Sequence, residues 1–155
     1  MKVELLVIGK VKQGFVNEGI AEYEKRIKHF VKFKINRLPS PKIKSKDEIQ
    51  IVNAESLKLL SQIDKQDNLI LLEIGGKSYN TLQFSKFIDK NINGFGGKTI
   101  FLIGGAYGVS DELKKRANHK ISMSEFTFTH DMAQLILLEQ LYRGYTVLNK
   151  IPYHH

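Results

Sequence analysis

The sequence predicts an α/β domain: a mostly parallel sheet with helices on both faces. Three observations carry that prediction. Residues 69–72 and 99–103 are apolar or β-branched at every position, as strands buried on both faces must be. Segments with helical spacing of apolar residues alternate with these strand-like runs, and such alternation implies parallel neighbours. The 99–103 run then ends in Gly104, Gly105 and Gly108, before Ser110-Asp111-Glu112 opens a helix. Backbone without Cβ between a buried strand and a helix can approach a ligand closely.

Taken in order, residues 2–8 read as a first strand, ended by Gly9-Lys10. An acidic residue inside this short run and the lack of a small-residue cleavage site argue against a signal peptide. Val16, Ile20, Tyr23, Ile27 and Phe30 recur at near-helical spacing with charges between them. Val31, Phe33 and Ile35 alternate with Lys32 and Lys34, the pattern of a strand with one wet face. Pro39 and Pro41 open a basic loop. Ser45, with Glu48 three residues on, fits a capping box and starts a helix through Ile49, Val52, Leu59 and Ile63. A second strand, 69–72, leads into Glu73-Ile74-Gly75-Gly76-Lys77. A helix over 81–91, a glycine turn over 94–97 and the central strand follow. A short capped helix spans 110–118, a last strand 120–123 and a loop 124–129. The final helix runs from near Asp131 to Lys150, where Pro152 prevents its continuing. With no internal repeat and no linker, residues 1–155 form one domain, long enough to bury a full core.

The final helix is apolar on nearly every side at Leu135-Ile136-Leu137-Leu138, and Leu141, Tyr142, Tyr145 and Leu148 extend the stripe. In so small a domain a second apolar face suggests a homodimer interface.

Composition narrows the function classes. There is no cysteine, so no thiolate metal site or cysteine nucleophile, and the five histidines show no metal-site spacing. No apolar run approaches the roughly 18 residues of a membrane span, and the expected location is cytoplasmic. The net charge is +8, and residues 1–46 hold 12 Lys/Arg against 4 Asp/Glu while the remainder balances at 12 against 12. Such one-sided charge is the footprint of a polyanion partner, and equally of a solubilising surface.

Some glycine signals mislead. Gly76-Lys77-Ser78 lacks the first glycine of a phosphate-binding loop, since Leu71 stands there. Glu73-Ile74-Gly75-Gly76 is only a weak match to the strand end of ordinary Rossmann-type methyltransferases, and the 94–97 glycines precede a strand instead of following one. A threefold constellation is stronger: Leu72, the Gly104-Gly105-Ala106-Tyr107-Gly108 turn, and Ser124-Glu125-Phe126-Thr127-Phe128. Parallel strands bring all three to one sheet edge, where Leu72, Phe126 and Phe128 can wall a flat group such as adenine. For each phenylalanine singly, core packing is the simpler account. His130, at the mouth of the last helix, can contact phosphate, orient a base or merely cap. Arg143, on an apolar helix face, calls for a carboxylate or phosphate partner. In the tail, Tyr153 can stack on a base and His154 can touch phosphate.

Taken together, the motifs MKVELLVIGK (1–10), AEYEKR (21–26), LEIGGK (72–77), FLIGGAYG (101–108), ISMSEFTFTH (121–130), EQLYR (139–143) and PYH (152–154) cover the full length. The chain resembles the SPOUT, or trefoil-knot, class, and within it the small bacterial methyltransferases that modify N3 of a pseudouridine in 23S rRNA. One departure is Thr129, where the family usually has proline. The resemblance implies a deep C-terminal trefoil knot, a homodimer packed through it, ribosomal RNA or the ribosome as partner, and no metal. It also implies S-adenosylmethionine contacts at positions matching Leu72, Gly104 and Met123 to Phe128. His130, Arg143, Tyr153 and His154 are the candidate catalytic residues, with Arg143 on RNA phosphate or anion stabilisation and His154 on substrate placement. The rival is a non-catalytic RNA- or ribosome-binding module of the same fold.

Overall fold

A computed structural model describes residues 1–155. Its sheet has five strands: β1 (Lys2–Ile8), β2 (Lys32–Leu38), β3 (Asn68–Ser78), β4 (Lys98–Ile103) and β5 (His119–Ser122). They lie in the order β2-β1-β4-β3-β5, and every neighbouring pair is parallel. The helices are α1 (Gly14–Ile27), α2 (Glu48–Leu60), α3 (Thr81–Ile88), α4 (Asp111–Arg116) and α5 (His130–Leu148).

Two-residue alternation sorts the strands' side chains onto two cores. Val3, Leu5 and Val7 of β1 meet α1, α3 and α5 in a cluster of 20 buried residues. Leu6 and Ile8 meet α2 and α4 in a cluster of 8, with Leu59, Leu71, Leu102 and Leu113. The first face is therefore the thick layer, and α5 is its centre: Leu137, Leu138, Leu141 and Tyr145 are buried in it. Each such side chain contributes about 1.5–3 kcal/mol by leaving water. Leu135 and Tyr142 pack against this cluster while partly exposed, and Ile136 is half-buried outside it.

Three expectations need correction. Asp47, and not Ser45, caps α2: its side chain accepts from Ile49 N at 3.0 Å, while Ser45 Oγ accepts from Asp47 N at 3.0 Å. The aspartate wins because it sits directly before the first helical residue. The helix expected over 81–91 closes as α3 at Ile88 and widens into a π-helical turn, Asp89–Asn93, in which Gly94 N donates to Asp89 O. The strand expected at 69–72 continues to Ser78, breaking register against β5 between Leu72 and Lys77. Gly76 explains the extension: a Cβ there would lie 2.6 Å from the Ile121 backbone. Gly76, the glycine that invites a phosphate-loop reading, marks a close approach of two strands.

Candidate functional site

In the order β4-β3-β5 three strand termini are neighbours, so the segments that leave them meet at one edge. They enclose a cavity of about 380 Å³, within the range for small-molecule sites. Leu72, Gly104, Gly105, Gly108, Met123, Ser124, Phe126, Thr127, Phe128 and His130 all line it. Glu125 does not, although it belongs to the same loop.

Backbone geometry explains the glycines. A Cβ on Gly104 would stand 2.6 Å from Val109 Cγ1, and one on Gly105 would collide with the Glu55 carboxylate. Gly108 has φ +84°, a left-handed conformation that glycine adopts without strain, and its N–H donates to Gly105 O at 3.1 Å. The turn is thus folded on itself with its main chain bare towards the cavity. Opposite it, Ser124 Oγ accepts from Phe126 N at 3.0 Å and Ser122 Oγ donates to Ser124 O at 3.1 Å. This local turn leaves Phe126 82% exposed at the cavity wall. An aromatic ring so placed gains from any flat apolar group that covers it.

Thr129 caps α5, its Oγ1 accepting from Met132 N at 3.2 Å, so the missing proline leaves the helix start intact. The cap sets His130 with Nδ1 3.1 Å from Gly104 O. A carbonyl only accepts, so Nδ1 donates, and the tautomer this selects has its lone pair at Nε2. Nε2 is buried without any partner. A buried acceptor left unmatched costs about 1–3 kcal/mol, and here it belongs to a cavity-lining side chain.

Sequence reasoning missed the supports of this histidine. Arg37, at the end of β2, donates through Nη1 to Gln134 Oε1 at 2.5 Å, and Gln134 Nε2 donates to His130 O at 3.3 Å. Burial pulls the Arg37 pKa below its ordinary value, against the charge of Asp131. Asp131 Oδ2 in turn accepts from Lys12 N at 2.9 Å, tying the loop after β1 to α5. Gln134 was the readable signal, a polar residue in register with the buried stripe of α5. Glu55 of α2 was also missed; burial raises its pKa, and its Oε2 has no partner behind Gly105.

Arg143, Tyr153 and His154 do not line the cavity. Arg143 donates to Glu139 Oε1 from Nε at 3.0 Å and Nη2 at 2.5 Å, and Tyr153 OH donates to the same oxygen at 3.1 Å. The guanidinium lies 4.7 Å from the Tyr153 ring centre, and Tyr153 packs edge-on against Tyr142. The carboxylate that Arg143 calls for is thus its own helix neighbour. Burial first, then the Tyr23 and Glu139 contacts, raises the Tyr153 pKa. His154 is exposed.

No group of three or more His, Cys, Asp or Glu side chains is placed to hold a metal ion, and no helix is long and apolar enough to cross a membrane.

The comparisons with known proteins agree with this geometry. A family model described as predicted SPOUT methyltransferase matches residues 1–154. A ribosomal RNA large subunit methyltransferase H from Cytophaga hutchinsonii is 41% identical over 100% of both chains. Its namesake from Streptococcus pneumoniae is 38% identical over 99% of each. A crystal structure from Bacillus anthracis, assigned as an RNA methyltransferase, superposes with a TM-score of 0.53 at 12% identity, covering 92% of this chain and 93% of that one. That likeness bears on the fold alone, and it accords with the knotted α/β class expected from the motifs. A strand-end cavity with bare backbone, and full-length relatives at this identity, lead to one conclusion: the chain belongs to the SPOUT methyltransferase family.

Proposed function

We propose that this chain methylates N3 of a pseudouridine in 23S rRNA of the large ribosomal subunit, with S-adenosylmethionine as donor. The observation that carries the reading is the cavity at the ends of β3, β4 and β5, lined by His130, whose buried Nε2 has no partner in the chain. The residues fit the donor's chemistry. Leu72, Phe126 and Phe128 offer apolar surface for a purine, and the bare backbone of Gly104, Gly105 and Gly108 offers groups that can read a ring edge. When bound, the donor supplies an electrophilic methyl on a sulfonium.

The protein's part is positioning and one proton. Holding acceptor and donor in line supplies most of such a rate enhancement. An imide nitrogen must also lose its proton before it attacks, and His130 Nε2 is the lone pair held ready to take it. The Arg37–Gln134 contact fixes the helical turn that carries that ring. Arg143, Tyr153 and His154 act outside the donor cavity, on RNA brought to it. A second copy of the chain covers the half-buried Ile136 of α5, making a cytoplasmic homodimer whose basic amino-terminal third docks rRNA phosphates.

The test is methyl transfer from labelled donor to ribosomal particles from cells lacking the enzyme, with the modified base mapped by mass spectrometry. Label on a pseudouridine N3 supports the reading. Absence of label, together with no calorimetric heat at millimolar donor, leaves the non-catalytic RNA-binding module in its place.

A further inference from the structure

The opposite end of the sheet carries a second charged feature, where β1, β2 and β4 begin. An open groove of about 700 Å³ is lined there by Lys2, Lys28, Lys32, Lys34 and Lys98 and by one carboxylate, Glu4, over Val3, Val31 and Phe33. The strand register makes the lysines a row. Lys2 pairs with Lys32 on one side and with Lys98 on the other. Residues matched across parallel neighbours point to the same face at about 4.8 Å strand spacing, so three ammonium stems stand abreast.

Like charges directly opposed in a sheet are destabilising, and local carboxylates relieve only part of this row. Lys98 pairs with Asp67 at 3.0 Å, Lys34 with Glu4 at 3.0 Å and Lys28 with Glu24 at 2.7 Å. Lys2 and Lys32 pair with none, and both are exposed. Lysines often protect a sheet edge from pairing with other chains, and β2 is an edge strand. That role accounts for Lys32 and Lys34 but not for Lys2 and Lys98, which lie on interior strands.

We propose that this lysine row is a second RNA-backbone site, gripping phosphates at the end of the sheet away from the donor cavity. The inference rests on the proposed rRNA substrate. With strands of six or seven residues, the two ends stand roughly 20 Å apart. The enzyme then spans a folded piece of rRNA and does not read a short single strand alone.

The test measures binding of a 23S rRNA transcript against salt concentration for the parent, for Lys2→Gln/Lys32→Gln and for Lys2→Arg/Lys32→Arg. Each phosphate contact adds about 0.7 to 0.9 to the salt slope. The glutamine pair should therefore flatten the slope by about 1.5 and weaken binding about tenfold at moderate salt. The arginine pair should match the parent, and donor affinity and melting temperature should be the same in all three. A glutamine pair with the parent's slope and affinity overturns the inference, even if methyl transfer is normal. A flattened slope in the glutamine pair, with a parent protein that itself transfers no methyl, supports the groove and sinks the proposed activity instead.

Discussion

The strand-end cavity and the Arg143–Tyr153 cluster both draw on α5, yet they differ in how completely their polar groups are satisfied. At the cluster Glu139 accepts from both Arg143 and Tyr153, and the tyrosine ring is packed on Tyr142. At the cavity His130 Nε2 is buried and unmatched, Phe126 is exposed, and the glycine turn cannot accept a Cβ at Gly104 or Gly105. A closed set of partners is what a single chain needs for its own stability. An open set, held in place by a closed one, marks where another molecule completes the structure.

Substitutions can break or sharpen that contrast. The largest effect belongs to Gly104→Val, whose side chain collides with Val109 in the turn. Donor binding measured by calorimetry should fall by more than about 100-fold, equivalent to roughly 3 kcal/mol. Next comes His130→Asn, which keeps an N–H for the Gly104 carbonyl and removes the lone pair at Nε2. Single-turnover methyl transfer should slow by about 10²-fold or more with donor affinity within twofold of the parent; an unchanged rate would remove His130 from the chemistry.

Tyr145 gives a pH-dependent comparison inside the same helix. Its hydroxyl is buried without a partner, and burial pushes its pKa up to about 12 from 10.0. A folded-state pKa above the unfolded one means the neutral form is favoured in the fold. Stability is therefore at its full value below about pH 10 and falls as pH climbs from about 10 to 12, where the unfolded chain ionises and the fold resists. The loss approaches 2–3 kcal/mol in urea unfolding across that window. Tyr145→Phe should abolish that component and leave neutral-pH stability equal or slightly higher, since no hydrogen bond is lost.

The smallest effect is expected at the satisfied cluster. Glu139→Gln weakens the contacts to Arg143 and Tyr153, which are partly open to water, and should cost about 1 kcal/mol of stability. Donor binding should be unaffected. A large loss of donor affinity here would erase the distinction between the two regions.

Much of this contrast was legible in the chain. The unbroken apolar run at 99–103 and the glycines after it announced both the central strand and the turn that lines the cavity. The serine and phenylalanine positions of 124–128 followed from parallel topology, because parallel strands deliver their exits to one edge. The β3 extension was hidden because Gly75-Gly76 carries no alternation, and its reason is tertiary: the Ile121 backbone lies where a Cβ would be. The Arg143 partner was hidden for a simpler reason. Glu139 sits four residues earlier on the same helix, a neighbour that spacing offers but does not prove occupied. The Arg37–Gln134 support joins residues 97 positions apart, and no local pattern encodes such a pair.

The central claim is that the donor binds at the open region and not at the closed one. Amide chemical shifts followed by NMR during titration with S-adenosylmethionine test it most directly. The account predicts saturable shifts concentrated at Leu72, Gly104, Gly105, Gly108 and residues 123–128, with Arg143 and Tyr153 nearly still. Shifts centred on Arg143 and Tyr153, or none at millimolar donor, would contradict it.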